Sequence, residues 1–234
     1  MYFPIDDSPN KLYQQIGATI KEYYPLGLER NSKEYNEYPG IVKIEDKINY
    51  QMLNYNNYIK PWKSFLANLP RGYKSKVRDH SFAHEISFNG EMMLEQFENE
   101  RVQIVKKLLF SVSGIGNYFN IHGIDETCLK LNDDETSFQR GVYNVINAVT
   151  ISPYMEFQAP FYYIYDSIIK HFTGYNFISF SNCQIVVEGL QTPYSNMNEC
   201  TVYNALFRDI YDYSPISNLR GNRFYKFGGN TQQL

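Results

Sequence analysis

Cysteine is nearly missing from this chain. Its 234 residues hold three, Cys128, Cys183 and Cys200. Their odd number and wide spacing argue against a disulfide framework, and no Cys-x-x-Cys is present for zinc or redox work. A reducing cytoplasm is the expected setting, with the thiols in or near the core. Long apolar runs are missing too, since no stretch approaches the ~18 residues of a membrane span. The opening ten residues have neither a basic n-region nor an apolar h-region, so no secretory signal is expected. Net charge is small: 22 Lys and Arg against 25 Asp and Glu leave −3. Nothing global favours nucleic acid or an anionic membrane.

Catalytic signatures are equally thin. No serine lies in a Gly-x-Ser-x-Gly elbow. Ser113-Gly114-Ile115-Gly116-Asn117 has two glycines but lacks the Lys-Ser/Thr of a phosphate loop and the third glycine of a dinucleotide loop. It also joins strand to strand, whereas phosphate binding wants a helix N-terminus. A hairpin turn and no cofactor are expected.

Aromatic residues, by contrast, are abundant. They make up 17% of the chain, with 22 Tyr and 16 Phe, alongside 23 Asn. With 43% hydrophobic and 20% charged residues, the composition is globular rather than disordered.

Apolar periodicity reads as helical over the first seventy residues. Leu12, Ile16 and Ile20 form one stripe, capped by Asp7 or Ser8 and ended by Pro25. Ile41, Ile44 and Ile48 form a second stripe after Pro39. A third helix is expected to start near Pro61, carrying Trp62, Phe65, Leu66 and Leu69, and to stop at Pro70-Arg71-Gly72. From about residue 77 the pattern turns to strand. Phe82, Ile86 and Phe88 alternate up to Asn89-Gly90, a strong hairpin signal. Met92 to Phe97, Val102 to Ser113, Tyr118 to Ile124 and Val142 to Ile151 continue an antiparallel meander. Phe157, Phe161, Ile164, Ile168 and Phe172 mark a long helix, with Pro160 in its first turn or at its true start. Phe177 to Leu190 reads as a strand or bent strand pair, Val202 to Ile210 as a short helix, and the tail from Ser214 as irregular. The expected class is α+β: one domain over residues 1–234, with an antiparallel sheet covered on one face by helices. A helical N-terminal lobe over residues 1–72 is the alternative boundary.

Two histidines, His80 and His84, are the weak metal candidates. Spaced i, i+4 they would converge on a helix, but in the expected strand they stand ~13 Å apart. His122, flanked by apolar residues, is either a general base or a half-buried ring with one hydrogen-bond partner. His171 suits the C-terminus of the long helix. Glu156 and Asp166 flank that helix's apolar stripe and could serve as paired carboxylates or as solvent-facing charges.

Charge is segregated more than the total suggests. Residues 79–100 carry six acids and no Lys or Arg, and residues 125–135 carry Asp125, Glu126, Asp133, Asp134 and Glu135 against Lys130. These five acids are expected in a loop, where they would steer a basic protein partner. Tyr35 and Tyr38 lie among Glu and Asn, and Tyr211 and Tyr213 lie beside Asp209 and Asp212. Such tyrosines suit a protein interface and not a nucleic-acid one, which needs cations for the backbone.

In overall character the chain resembles bacterial immunity proteins that neutralise a partner toxin. The resemblance lies in style over the whole length and in the segments Phe177 to Leu190 and Val202 to Phe207. It implies a non-enzymatic cytoplasmic binder of a basic toxin domain. The other classes left open are a metal- or His-dependent hydrolase using His80, His84 or His122, and a phage or structural assembly component.

Overall fold

The computed structural model describes residues 11–74, 76–130, 142–208 and 218–225. The chain begins with helices α1 (Lys11–Tyr23), α2 (Lys33–Asn36), α3 (Pro39–Leu53), α4 (Tyr55–Asn68) and α5 (Arg71–Lys74). Strands β1 (Val77–Asp79), β2 (Ser87–Glu98), β3 (Val102–Ser113), β4 (Tyr118–Lys130) and β5 (Val142–Thr150) follow. Then come a 3-10 turn (Met155–Phe157), α6 (Gln158–His171), β6 (Asn176–Phe177), α7 (Phe180–Cys183), α8 (Val202–Leu206) and β7 (Leu219–Arg220). The class is α+β.

The sheet has seven strands in the order β1-β2-β3-β4-β5-β7, with β6 paired to the start of β4. The five long and edge strands β1 to β5 are antiparallel, while β6 and β7 add short parallel ladders. Helices cover both faces rather than one. Side chains alternate across a strand, and here both alternations are apolar. Leu108, Phe110 and Val112 pack with Phe119 and Ile121 against Trp62 and Phe65 of α4 and Phe161, Ile164 and Ile168 of α6. Leu109, Ile124 and Val149 face the opposite way, toward Ile16 and Ile20 of α1, Ile41 and Ile44 of α3, and the 178–207 segment. The first seventy residues therefore do not share a core of their own, because α1 and α3 join one face and α4 the other.

Several expected elements differ. Asn89-Gly90 is not a turn but lies inside β2. Gly90 is there because a Cβ would sit 2.4 Å from the buried Phe110 ring on β3. Residues 80–86 form a loop instead of a strand. Pro61 lies within α4, not at its start, and Pro160 is third in α6, within the first turn, where no intrahelical N–H partner is lost. Phe177 to Leu190 holds only the last residue of the two-residue β6 and the four-residue α7. Strand β4 runs on to Lys130, so Asp125 and Glu126 belong to the sheet and not to a loop.

Candidate functional site

A cleft of about 640 Å³ opens beside α3, within the size range of ligand sites. Its floor is Ile41, Ile44 and Ile48 of α3 with Ile86 and Phe207 opposite. Pro39 at the first position of α3 starts the helix, and the i, i+3, i+7 spacing places the three isoleucines on one side. Gly40 lets α3 approach the end of α1, because a Cβ there would lie 2.2 Å from the Glu22 carbonyl oxygen.

Long-range hydrogen bonds hold the walls. Ser32 caps α2 by accepting from the Tyr35 N–H. The Tyr35 hydroxyl donates to the Gln191 carbonyl at 2.9 Å, and the Tyr24 hydroxyl donates to that of Ala205 at 3.0 Å. On the other wall, the Gln51 amide donates to the carbonyls of Ala83 and Glu85 at 2.9 and 3.0 Å. Asp79 fixes the start of this loop by accepting from Trp62 Nε1 and the Ser81 N–H, both at 2.9 Å. Helix α8 is closed by a capping box between Thr201 and Asn204 and delivers Arg208 to the cleft.

Glu85 and Arg208 form an ion pair within the lining. Arg208 Nε is 2.9 Å from Glu85 Oε1, its guanidinium lies 5.7 Å from the Phe82 ring, and Asn89 donates to Glu85 Oε2 at 2.9 Å. Burial raises the Glu85 pKa despite the opposing pull of Arg208, His84 and Asn89. Among the described residues, four polar lining side chains make no hydrogen bond or ion pair, those of Arg30, Asn31, Asn36 and Glu45, while His84 stacks on Phe82.

A second charged cluster crosses the sheet. Lys107 Nζ is 3.3 Å from Glu91 and 2.8 Å from Glu126, and Glu91 also meets His80 at 3.4 Å and Arg78 at 3.9 Å. Burial pushes the Glu91 carboxyl up, but His80 and Lys107 more than offset it and bring it down to about 2.

The structure separates most of the residues singled out in the sequence. His80 pairs with Glu91, whereas His84 stacks on Phe82 at 5.5 Å, so the two rings do not converge. No group of three His, Cys, Asp or Glu able to hold a metal occurs among the described residues. Four of the six acids along 79–100 are matched by cations: Glu91 as above, Glu95 by Lys106 at 2.9 Å, Glu98 by Lys130 and Glu85 by Arg208. Asp125 pairs with Arg220 and Glu126 with Lys107, so neither is a free loop acid. Glu156 pairs with Lys106 at 2.7 Å.

Tyr35 is 3% exposed and not displayed on an outer surface, because its ring fills the core beside α3, although one edge lines the cleft. Tyr38 is half-buried and donates to the Lys21 carbonyl. Asp133, Asp134, Glu135, Asp209, Tyr211, Asp212 and Tyr213 lie outside the described residues. His122 is fully buried rather than half-buried. Its Nδ1 lies 2.8 Å from Asn120 Oδ1, and burial lowers its pKa to about 3, so the ring is neutral. His171 Nε2 lies 3.1 Å from the Pro61 carbonyl, tying the end of α6 to α4. All three cysteines are buried and none is in a disulfide.

Sequence reasoning missed Arg30, Asn31, Asn36, Glu45, Glu85 and Arg208 as a set. They come from four separate segments, and the only trace in the sequence was the polar run Asn31 to Asn36 between two helices. The sequence matches no protein-family model, and comparison with curated proteins and with solved structures returns no match either.

Proposed function

We propose that this is a non-enzymatic binding protein of the immunity type, which neutralises a basic partner protein by taking part of it into the α3 cleft. One observation carries the reading. The helix that floors the cleft, α3, ends in exposed large side chains that do not themselves line it: Tyr50 at 60%, Met52 at 59% and Leu53 at 85% exposure, with Tyr55 next at the start of α4. Tyrosine, methionine and large apolar groups left open to water on the helix that floors an apolar cleft are the composition of a protein interface.

Charge supports a basic partner, through other acids than those the sequence pointed to. Glu29, Glu34, Glu45 and Asp46 lie in or next to the cleft-forming elements and make no ion pair among the described residues. Complementary charge of this kind speeds encounter. The toxin nature of the partner rests on the resemblance alone. Three reduced, buried thiols fit a cytoplasmic site of action, and no helix among the described residues is long and apolar enough to cross a membrane.

The test is complex formation with a protein recovered from the native host, the product of the adjacent gene included. A one-to-one complex by size exclusion with light scattering is expected, weakened at least tenfold by Ile48→Arg and unchanged by Glu100→Lys on the far end of the sheet. A complex indifferent to Ile48→Arg in a folded variant, or no stoichiometric partner, would sink the proposal.

A further inference from the structure

The lining groups that the fold leaves uncommitted are of mixed kind: one cation, Arg30; one anion, Glu45; and two amides, Asn31 and Asn36. The remaining charges, Glu85 and Arg208, are already paired with each other at 2.9 Å. A site for a phosphate or another small anion would present a surplus of unspent cations, and this one does not. Two free amides each offer a donor and an acceptor, the inventory that matches a peptide group. The floor beneath them is wholly apolar: Ile41, Ile44, Ile48, Ile86 and Phe207.

We infer that the cleft reads a linear stretch of polypeptide. An apolar side chain of that stretch rests on the α3 isoleucines, its backbone pairs with Asn31 and Asn36, and a lysine or arginine reaches Glu45. This rests on the binding-protein reading above and specifies what enters the site. Selectivity follows from the unspent groups. A basic side chain on Glu45 forms a charge-assisted bond, whereas a peptide lacking one leaves that carboxylate as it was. Recognition of a short segment also means that the occupant need not be a folded domain.

The experiment pans a displayed random 12-residue peptide library on the full-length chain. Peptides joining a large apolar residue to a Lys or Arg are expected to be enriched. Their affinity, measured by calorimetry with the synthetic peptides, should fall about tenfold or more in Glu45→Lys and be abolished in Ile48→Arg. Panning on Glu45→Lys should switch the preference to Asp or Glu. Circular dichroism and thermal melting establish that both variants fold. The inference is overturned by a library that yields no peptide, by peptides whose binding ignores both variants, or by an unchanged preference in Glu45→Lys. A dimer that Ile48→Arg dissolves, or a co-purifying small molecule seen in native mass spectra and lost in that variant, would likewise overturn it by giving the cleft another occupant. The two readings fail separately. A host partner that needs Ile48 while no peptide binds removes the linear-segment inference alone, and peptide binding without any host partner removes the immunity reading alone.

Discussion

Replacing Lys107 with methionine tests whether the charged cluster across the sheet holds the fold together. The Lys107 ammonium lies between Glu91 on β2 and Glu126 on β4, at 3.3 and 2.8 Å, and those side chains are 7% and 11% exposed. Deleting one partner of a buried ion pair costs ~3–5 kcal/mol, because the remaining charge is left without compensation. The acidity of Glu91 sets an upper bound on its own share of that cost. Its carboxyl titrates at about 2 instead of 4.5 because His80 and Lys107 outweigh burial. That gap, at ~1.4 kcal/mol per pH unit, corresponds to ~3.5 kcal/mol for all the partners of Glu91 together, so it is an upper bound on the part that Lys107 supplies beside His80. In the variant Glu91 keeps His80 and Arg78, but Glu126 has no other cation within 4.0 Å among the described residues. A loss of ~3 kcal/mol at pH 7 is expected from urea titration. The sign of the pH dependence follows from the depressed value. The Glu91 contribution is complete above about pH 4.5 and disappears as pH falls toward 2. The gap between wild type and variant should therefore narrow in acid. The triple variant Glu91→Gln/Lys107→Met/Glu126→Gln should recover most of the loss, since a whole buried cluster can be exchanged for neutral groups at little cost. A deficit below ~1 kcal/mol at pH 7, or one that stays constant into strong acid, would refute the reasoning.

Other outcomes follow from the same structure. Gly90→Ala should destabilise by ~1–3 kcal/mol, because the new Cβ meets the buried Phe110 ring at 2.4 Å. Gly40→Ala should cost at least as much, because its obstacle at 2.2 Å is the backbone of α1 and not a side-chain tip; thermal melts of both variants check the order. His122 is neutral in the fold at any pH above about 3, so below pH ~6.5 the unfolded chain takes up a proton that the folded one refuses. Stability should fall by up to ~1.4 kcal/mol per pH unit on that account, and His122→Leu should flatten the slope of the urea midpoint between about pH 6 and 4. Cys183 and Cys200 are wholly buried, and burial pushes the Cys183 thiol well up. Both should react with a thiol reagent only as fast as the protein opens, which a labelling time course in urea would show.

Periodicity made much of the fold legible. The isoleucine stripes of α1 and α3, the phenylalanine stripe of α6 and the β3–β4 hairpin at Gly114 to Asn117 all stand where the sequence places them, since each depends on neighbours within one or two turns. What failed depended on distant contacts. Gly90 looks like half of a turn until the Phe110 ring is known to lie over it. Pro61 looks like a helix start, but α4 begins at Tyr55. The cleft was hidden for a related reason. Ile41, Ile44 and Ile48 read as one buried stripe, and no spacing distinguishes a helix side that meets a core from one that also meets an open cleft. Nor can the pairing of Glu85 with Arg208, 123 positions away, be read from either neighbourhood.

The charge pattern carries the strongest lesson about recognition. In an antiparallel meander, strands adjacent in sequence become adjacent in space. An acidic β2 followed by a β3 bearing Lys106 and Lys107 therefore neutralises itself when the sheet forms, as Glu91 and Glu95 do. Acid-rich runs within such a meander say more about strand pairing than about partners. Charge left for recognition has to come from elements that do not pair as neighbours. Here those are the connections and helices that frame the cleft, where Glu29, Glu34, Glu45 and Asp46 remain unmatched among the described residues. The tyrosines divide by the same logic. Tyr24 and Tyr35 donate their hydroxyls to carbonyls 181 and 156 positions away and serve to hold the walls. Tyr50 and Tyr55 lie beyond the packed faces of α3 and α4 and stay exposed. Structural and displayed aromatics thus come from the same helical region of the sequence, and of these four only Tyr24 and Tyr35, the two that hold the walls, line the cleft.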